Sequence, residues 1–268
     1  MRRHSPHLDA VAAAAVAATL LLAACSTDST GPAPGEQADF QAANDALALA
    51  TTLGLPGALA EDGGAATSER DGCTYAEAEG RWYCGPVERN GLVFTHSYAF
   101  YDASGASQRR FDRLTTAAIN RRSSVKGTTT RDGATITVDR TADLTASGLA
   151  GEETQRTLNG VEGGTTVRVT TGDFGTRTVT TVSRDRTADV VVPVPRTRET
   201  WPLSGQSIRY HEAEEKVEGA STGSRTSWER TVITYNGTRL VPIEITNARG
   251  TRVCTLNLAT GERRCATR

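Results

Sequence analysis

Two stretches of the chain, CTYAEAEGRWYC at residues 73–84 and CTLNLATGERRC at residues 254–265, share one spacing: Cys-Thr, five residues, Gly, three residues, Cys. Paired cysteines serve three chemistries: metal ligation, thiol–disulfide exchange and crosslinking. Local zinc sites place their cysteines two to four residues apart and add further ligands. Here ten residues intervene, and of the four histidines two (His4, His7) stand at the extreme amino terminus, leaving His96 and His211. Exchange catalysis favours Cys-x-x-Cys at a helix start, which the sequence lacks. Crosslinking has a geometric argument. Gly80 and Gly261 occupy equivalent places, and a four-residue hairpin loop on a type I turn can end in a left-handed residue, which glycine supplies. With loops at 77–80 and 258–261, pairing outward sets Cys73 opposite Cys84 and Cys254 opposite Cys265. Directly opposed residues have Cα atoms about 4.5–5.5 Å apart, a span that overlaps disulfide geometry. The same register sets Tyr75 against Trp82. No metal site and no cofactor are expected.

The fifth cysteine belongs to a different pattern. The chain opens MRRHSPHLDAVAAAAVAATLLLAACSTD, with two arginines ahead of an apolar run from Ala10 to Ala24 broken only by Thr19. That run is short for a membrane-spanning helix, which needs ~20 residues. Its end, Leu22-Ala23-Ala24-Cys25, resembles the lipobox of bacterial lipoprotein signal peptides. The resemblance implies removal of residues 1–24, thioether lipidation of Cys25 and acylation of the new amino terminus. With Ser26 rather than Asp next, the resemblance to the Gram-negative sorting pattern further implies the outer membrane, and several acyl chains give durable anchoring where one does not. Export places the remaining four cysteines in an oxidising compartment, where disulfides are the default. Residues 25–35 read as the lipidated cysteine and a Pro/Gly-rich tether, and 36–268 as a single β-rich domain.

Composition excludes several partners. Cleavage would remove two arginines and one aspartate, changing the formal net charge from −1 to −2. A nearly neutral chain without a basic cluster is a poor nucleic-acid binder. Only two lysines occur, Lys126 and Lys216, and aromatics are 5% of residues, which disfavours a stacking groove for sugars or bases.

The elements that would position any site are read from periodicity. Residues 36–53 set Phe40, Ala43, Leu47 and Ala50 at helical spacing, an amphipathic helix stopped at Gly54-Leu55-Pro56-Gly57. From residue 73 the chain is rich in Thr, Val, Arg and Gly, with alternating stretches between turn signals. Asn90-Gly91, Asp132-Gly133, Asn159-Gly160 and Asn236-Gly237 are hairpin dipeptides, and 102–105 and 171–173 are further turns. Strands are expected at 92–101, 134–139, 165–171, 175–183, 187–194, 206–217, 226–235, 239–246 and 251–258. Residues 107–120 suit either a short helix or a strand. The fold class is mainly β: an antiparallel meander forming a half-barrel, barrel or sandwich behind one amino-terminal helix. The pentapeptide Asp-Arg-Thr-Ala-Asp occurs at 139–143 and again at 185–189, consistent with a duplicated strand pair or with compositional coincidence.

Three further motifs bear on chemistry. Ser123-Ser124-Val125-Lys126 holds the Ser-x-x-Lys of penicillin-recognising enzymes, but no Lys-Thr-Gly accompanies it. His211-Glu-Ala-Glu-Glu215 lacks the second histidine of a metalloprotease helix and reads as a solvated strand rim. Asn236-Gly-Thr238 is a formal glycosylation sequon, better read as a turn. The sequence therefore points to a non-enzymatic lipoprotein with a structural or binding role, partnered with the membrane through Cys25. A carrier for a lipid or acylated peptide is the alternative, by analogy with periplasmic lipoprotein carriers. A hydrolase would need His96 or His211 within hydrogen-bond reach of both a serine and a carboxylate.

Overall fold

The computed structural model describes residues 72–173, 175–194, 199–219 and 223–265. Lipobox, tether and the helix expected at 36–53 lie outside the described residues. Within them the protein is all β, thirteen strands in one antiparallel sheet. They are β1 (Cys73–Ala76), β2 (Arg81–Arg89), β3 (Leu92–Tyr101), β4 (Ser107–Gln108), β5 (Ala118–Arg131), β6 (Ala134–Ser147), β7 (Gln155–Gly172), β8 (Gly175–Pro193), β9 (Ser204–Gly219), β10 (Gly223–Thr234), β11 (Leu240–Asn247), β12 (Gly250–Asn257) and β13 (Arg263–Cys265). Each strand pairs with the next in the chain, except that the two-residue β4 pairs only with β3 and lets β5 pair with β3 directly. Among the described residues, β1 and β13 stand at the two ends of this pairing order.

Hairpin chemistry explains the connections. Asn90 and Asp132 adopt positive φ of 53° and 51°, each followed by glycine, in the tight turns β2–β3 and β5–β6. Between β3 and β4, the Asp102 carboxylate accepts hydrogen bonds from Ser104 N, Ser104 Oγ and Ala106 N, so the aspartate satisfies the turn's own donors. Residues 107–120 form neither a helix nor one strand. Asp112 caps a turn by accepting from the amides of Leu114 and Thr115, and β5 begins only at Ala118.

Two expectations are corrected. Residues 175–183 and 187–194 are one strand, β8, not two. Asn159-Gly160 is no turn but lies inside β7, beside a register shift against β8. There Asn159 Nδ2 donates to Asp189 Oδ1 and Asn159 Oδ1 accepts from Asp189 N. Its amide thus satisfies a bulged residue of β8 whose φ is 49°. A Cβ on Gly160 would stand 2.4 Å from Asp143 O, so glycine here permits close strand approach.

Side chains alternate across the sheet, and the register identifies one face, hereafter the core face, along all strands. At one end it carries Trp82, Tyr98, Phe100 and Ile119 around the first disulfide; next to them are Leu92, Val125, Ile136 and Val138. At the far end are Ile233, Val241, Ile243 and Ile245. The repeated Asp-Arg-Thr-Ala-Asp does not keep phase with this face. Arg140 points to it in β6, whereas in β8 it is Asp185 that does so and Arg186 is exposed. A duplicated strand pair would conserve its facing, so the two copies do not perform equivalent structural work.

Candidate functional site

The brackets form hairpins with the register that a four-residue loop dictates: Ala76 opposite Arg81 and Cys73 opposite Cys84, Leu256 opposite Arg263 and Cys254 opposite Cys265. Gly80 and Gly261 end the loops at φ 60° and 72°. Gly261 N donates to Asn257 O at 2.8 Å. The Cys73–Cys84 and Cys254–Cys265 sulfurs are bonded, with Cα separations of 4.0 Å in each case. Tyr75 and Trp82 pack with ring centroids 5.0 Å apart. The staples close the two terminal hairpins, the weakest places of a meander because each edge strand has one neighbour.

Between the two apolar ends, the core face is charged. Arg140 on β6 is 5% exposed and continues the buried series Ala134, Ile136, Val138. Its Nη2 meets Glu162 Oε1 of β7 at 3.2 Å. Glu162 stands opposite Asp185 of β8, and Asp185 opposite Arg209 of β9. Two acids directly opposed repel, and the flanking arginines offset that repulsion. His211 Nε2 lies 3.9 Å from Asp185 Oδ1. The next rung runs Arg140, Gly164, Ser183, His211, Glu229 across β6 to β10. Gly164 cannot be replaced freely, since a Cβ there would stand 2.1 Å from Asp139 O and 2.6 Å from Arg140 Cα.

Burial dominates the electrostatics. Desolvation pushes the Glu162 carboxyl above the usual carboxylate range, against the pull of Arg140 and with help from Asp185. Desolvation likewise raises Asp185, opposed by His211, Arg209 and Arg140. His211 is driven the other way: burial, Arg209 and Arg140 disfavour its imidazolium more than Asp185 favours it. His211 is therefore not the solvated rim residue expected from sequence; its side chain is 17% exposed. Among the described residues, three buried polar atoms at this site have no hydrogen-bond partner: Arg140 Nε, Ser183 Oγ and Asp185 Oδ1.

Serine, histidine and aspartate thus share one patch, with Ser183 directly opposite His211. The Ser183 hydroxyl has no hydrogen-bond partner among the described residues, and His211 Nε2 stands 3.9 Å from Asp185 Oδ1, beyond hydrogen-bonding distance. What the patch offers is two buried donors, Arg140 Nε and Ser183 Oγ, on strands either side of Gly164 and without a hydrogen-bond partner among the described residues.

The other sequence motifs fall apart in three dimensions. Ser123 and Lys126 lie on opposite faces of β5, and Lys126 pairs with Asp139 at 3.2 Å. Glu215 shares the His211 face but binds Arg177. Asn236 Oδ1 accepts from Thr238 N at 3.1 Å and from Thr238 Oγ1 at 2.9 Å, closing the β10–β11 turn. His96 stands opposite Cys84, at the first staple. Sequence reading missed Arg140, Glu162, Ser183, Asp185 and Arg209. One signal was present: in Ala134-Thr-Ile-Thr-Val-Asp-Arg140 the arginine falls in phase with the apolar alternation.

No family model matches the chain, and no curated protein and no solved structure shows significant similarity to it.

Proposed function

We propose that this chain is a lipoprotein tethered to the outer membrane through Cys25, and that its sheet is a non-enzymatic binding module whose core-face patch receives a polar ligand. The observation that carries the binding role is the buried, unsatisfied pair Arg140 Nε and Ser183 Oγ. Burying such groups without a partner costs about 1–3 kcal/mol each, a penalty that a ligand accepting both hydrogen bonds would remove. The lipobox Leu22–Cys25 supports the anchor, and paired cysteines suit an exported protein. A carrier of acyl chains would call for an unbroken apolar face, and Arg140, Glu162, Asp185, Arg209 and His211 interrupt this one.

Two measurements test the reading. Intact mass of the protein extracted from its own membranes should show Cys25 as the acylated first residue, and Cys25→Ser should release the protein from the membrane fraction. Native mass spectrometry of the gently extracted full chain should retain a small polar adduct that Ser183→Ala loses. An unacylated Cys25 overturns the anchor; a bare mass unaltered by Ser183→Ala overturns the binding role.

A further inference from the structure

The two staples are equal in sequence but not in their neighbours. On the rung through Cys254 and Cys265, the next strand presents Ile243, which is buried. On the rung through Cys73 and Cys84, the next strand presents His96. The ligating atoms of Cys73, Cys84 and His96 all lie within 4.8 Å of one another. Three adjacent strands, β1, β2 and β3, thus deliver two sulfurs and one imidazole nitrogen to one point on the core face. Both cysteines there are buried, against an aromatic wall that includes Trp82 and Tyr98.

We infer that the first bracket is a redox-gated zinc site: a closed disulfide when oxidised, a three-ligand Cys73–Cys84–His96 centre when reduced. A dithiol reductant transfers two electrons and two protons, the sulfur–sulfur bond breaks to two thiols, and the reductant leaves as its own disulfide. Zn²⁺ then displaces the two thiol protons to solvent and takes both thiolates and a neutral His96 nitrogen. Zinc–sulfur bonds of about 2.3 Å and zinc–nitrogen bonds of about 2.0–2.1 Å set ligand atoms about 3.5–3.8 Å apart around one ion. Reaching that spacing requires the two sulfurs to part, which rotation about the cysteine Cα–Cβ bonds provides. Three protein ligands leave a fourth position for water or an exogenous donor, the arrangement of open rather than structural zinc sites. Ten intervening residues disfavour zinc within either bracket alone, but here the third ligand comes from outside the bracket. Thiolate ligation makes the site soft, and disulfide closure excludes the metal outright, so occupancy reports the dithiol poise of the compartment.

The test uses the full chain in detergent, carrying Cys25→Ser so that only bracket thiols remain, with Co²⁺ as the spectroscopic probe. After reduction, Co²⁺ should give a thiolate charge-transfer band and tetrahedral visible bands, saturating at one ion per chain, while the oxidised protein gives neither. Cys254→Ala/Cys265→Ala should leave the spectrum intact and Cys73→Ala/Cys84→Ala should abolish it. His96→Ala should weaken binding at least about tenfold. Identical spectra before and after reduction, or loss with the 254/265 pair instead, would overturn the site. Should reduction loosen the sheet, melting decides: Zn²⁺ must raise the midpoint of the reduced wild type and not of the His96→Ala variant.

Discussion

The Arg140–Glu162 pair lends itself to a quantitative test, because its burial decides which electrostatic regime applies. Exposed ion pairs contribute about 0.2–1 kcal/mol. Here the side chains are only 5% and 20% exposed, at 3.2 Å. With an effective dielectric of about 20 the attraction at that distance is about 5 kcal/mol. Desolvation, together with the Asp185 charge, nevertheless outweighs it and holds the Glu162 carboxyl above its usual range. The pair is therefore costly to keep and costlier to break. Arg140→Met strands a buried carboxylate, and the penalty should be about 3 kcal/mol at neutral pH, the lower end for broken buried pairs since Glu162 keeps some solvent contact. That penalty should shrink on acidification, because the stranded carboxylate protonates. Arg140→Met/Glu162→Leu should recover the loss and reach or exceed wild-type stability. Urea unfolding followed through the buried Trp82 measures all three proteins. If Arg140→Met stays within about 1 kcal/mol of wild type, or the double variant is no better than the single, the pair is solvated and the reasoning fails.

Three other outcomes follow from the same geometry. Each staple closes a loop with a sequence separation of 11, so removing Cys254 and Cys265 together as alanines should cost about 3 kcal/mol in urea melts on the chain-entropy model; an unchanged midpoint would contradict it. His211 has a depressed pKa in the folded state, so the native protein binds fewer protons than the unfolded chain, and stability is lost as pH falls through the window below about 6.5. His211→Gln should flatten that acid limb of the melting-temperature profile, and an unaltered limb would remove His211 as its source. Gly164→Ala drives a Cβ to 2.1 Å from the Asp139 carbonyl, whereas Gly133→Ala meets open space at φ 73°. The second should cost about 1 kcal/mol of backbone strain and the first clearly more, by thermal melting; equal losses would refute the close approach.

Sequence legibility followed range. The bracket hairpins were readable because everything that fixes them lies within twelve residues: cysteine spacing, a glycine where φ is positive, an aromatic pair in register. The same locality made the Asn90-Gly91 and Asp132-Gly133 turns and the bounds of β3 readable. Asn159-Gly160 carries an identical local signal yet sits inside β7, because its partner is Asp189, thirty residues away. The break expected within β8 is absent for a related reason: its flanking strands β7 and β9 supply a continuous ladder that overrides the local Ser-Arg-Asp-Arg composition.

By itself the sequence determined a β meander and its stapled edges, since each is encoded in neighbouring residues. Only the tertiary structure decided which side chains meet. A one-residue change of phase sends a side chain to the opposite face, so the place of an arginine or serine depends on the register of every strand between it and its partner. Arg140, Glu162, Ser183, Asp185 and His211 come from four strands, and Cys73, Cys84 and His96 from three. No spacing within one segment could announce either constellation, because each exists only once the ladder between its strands has been laid down.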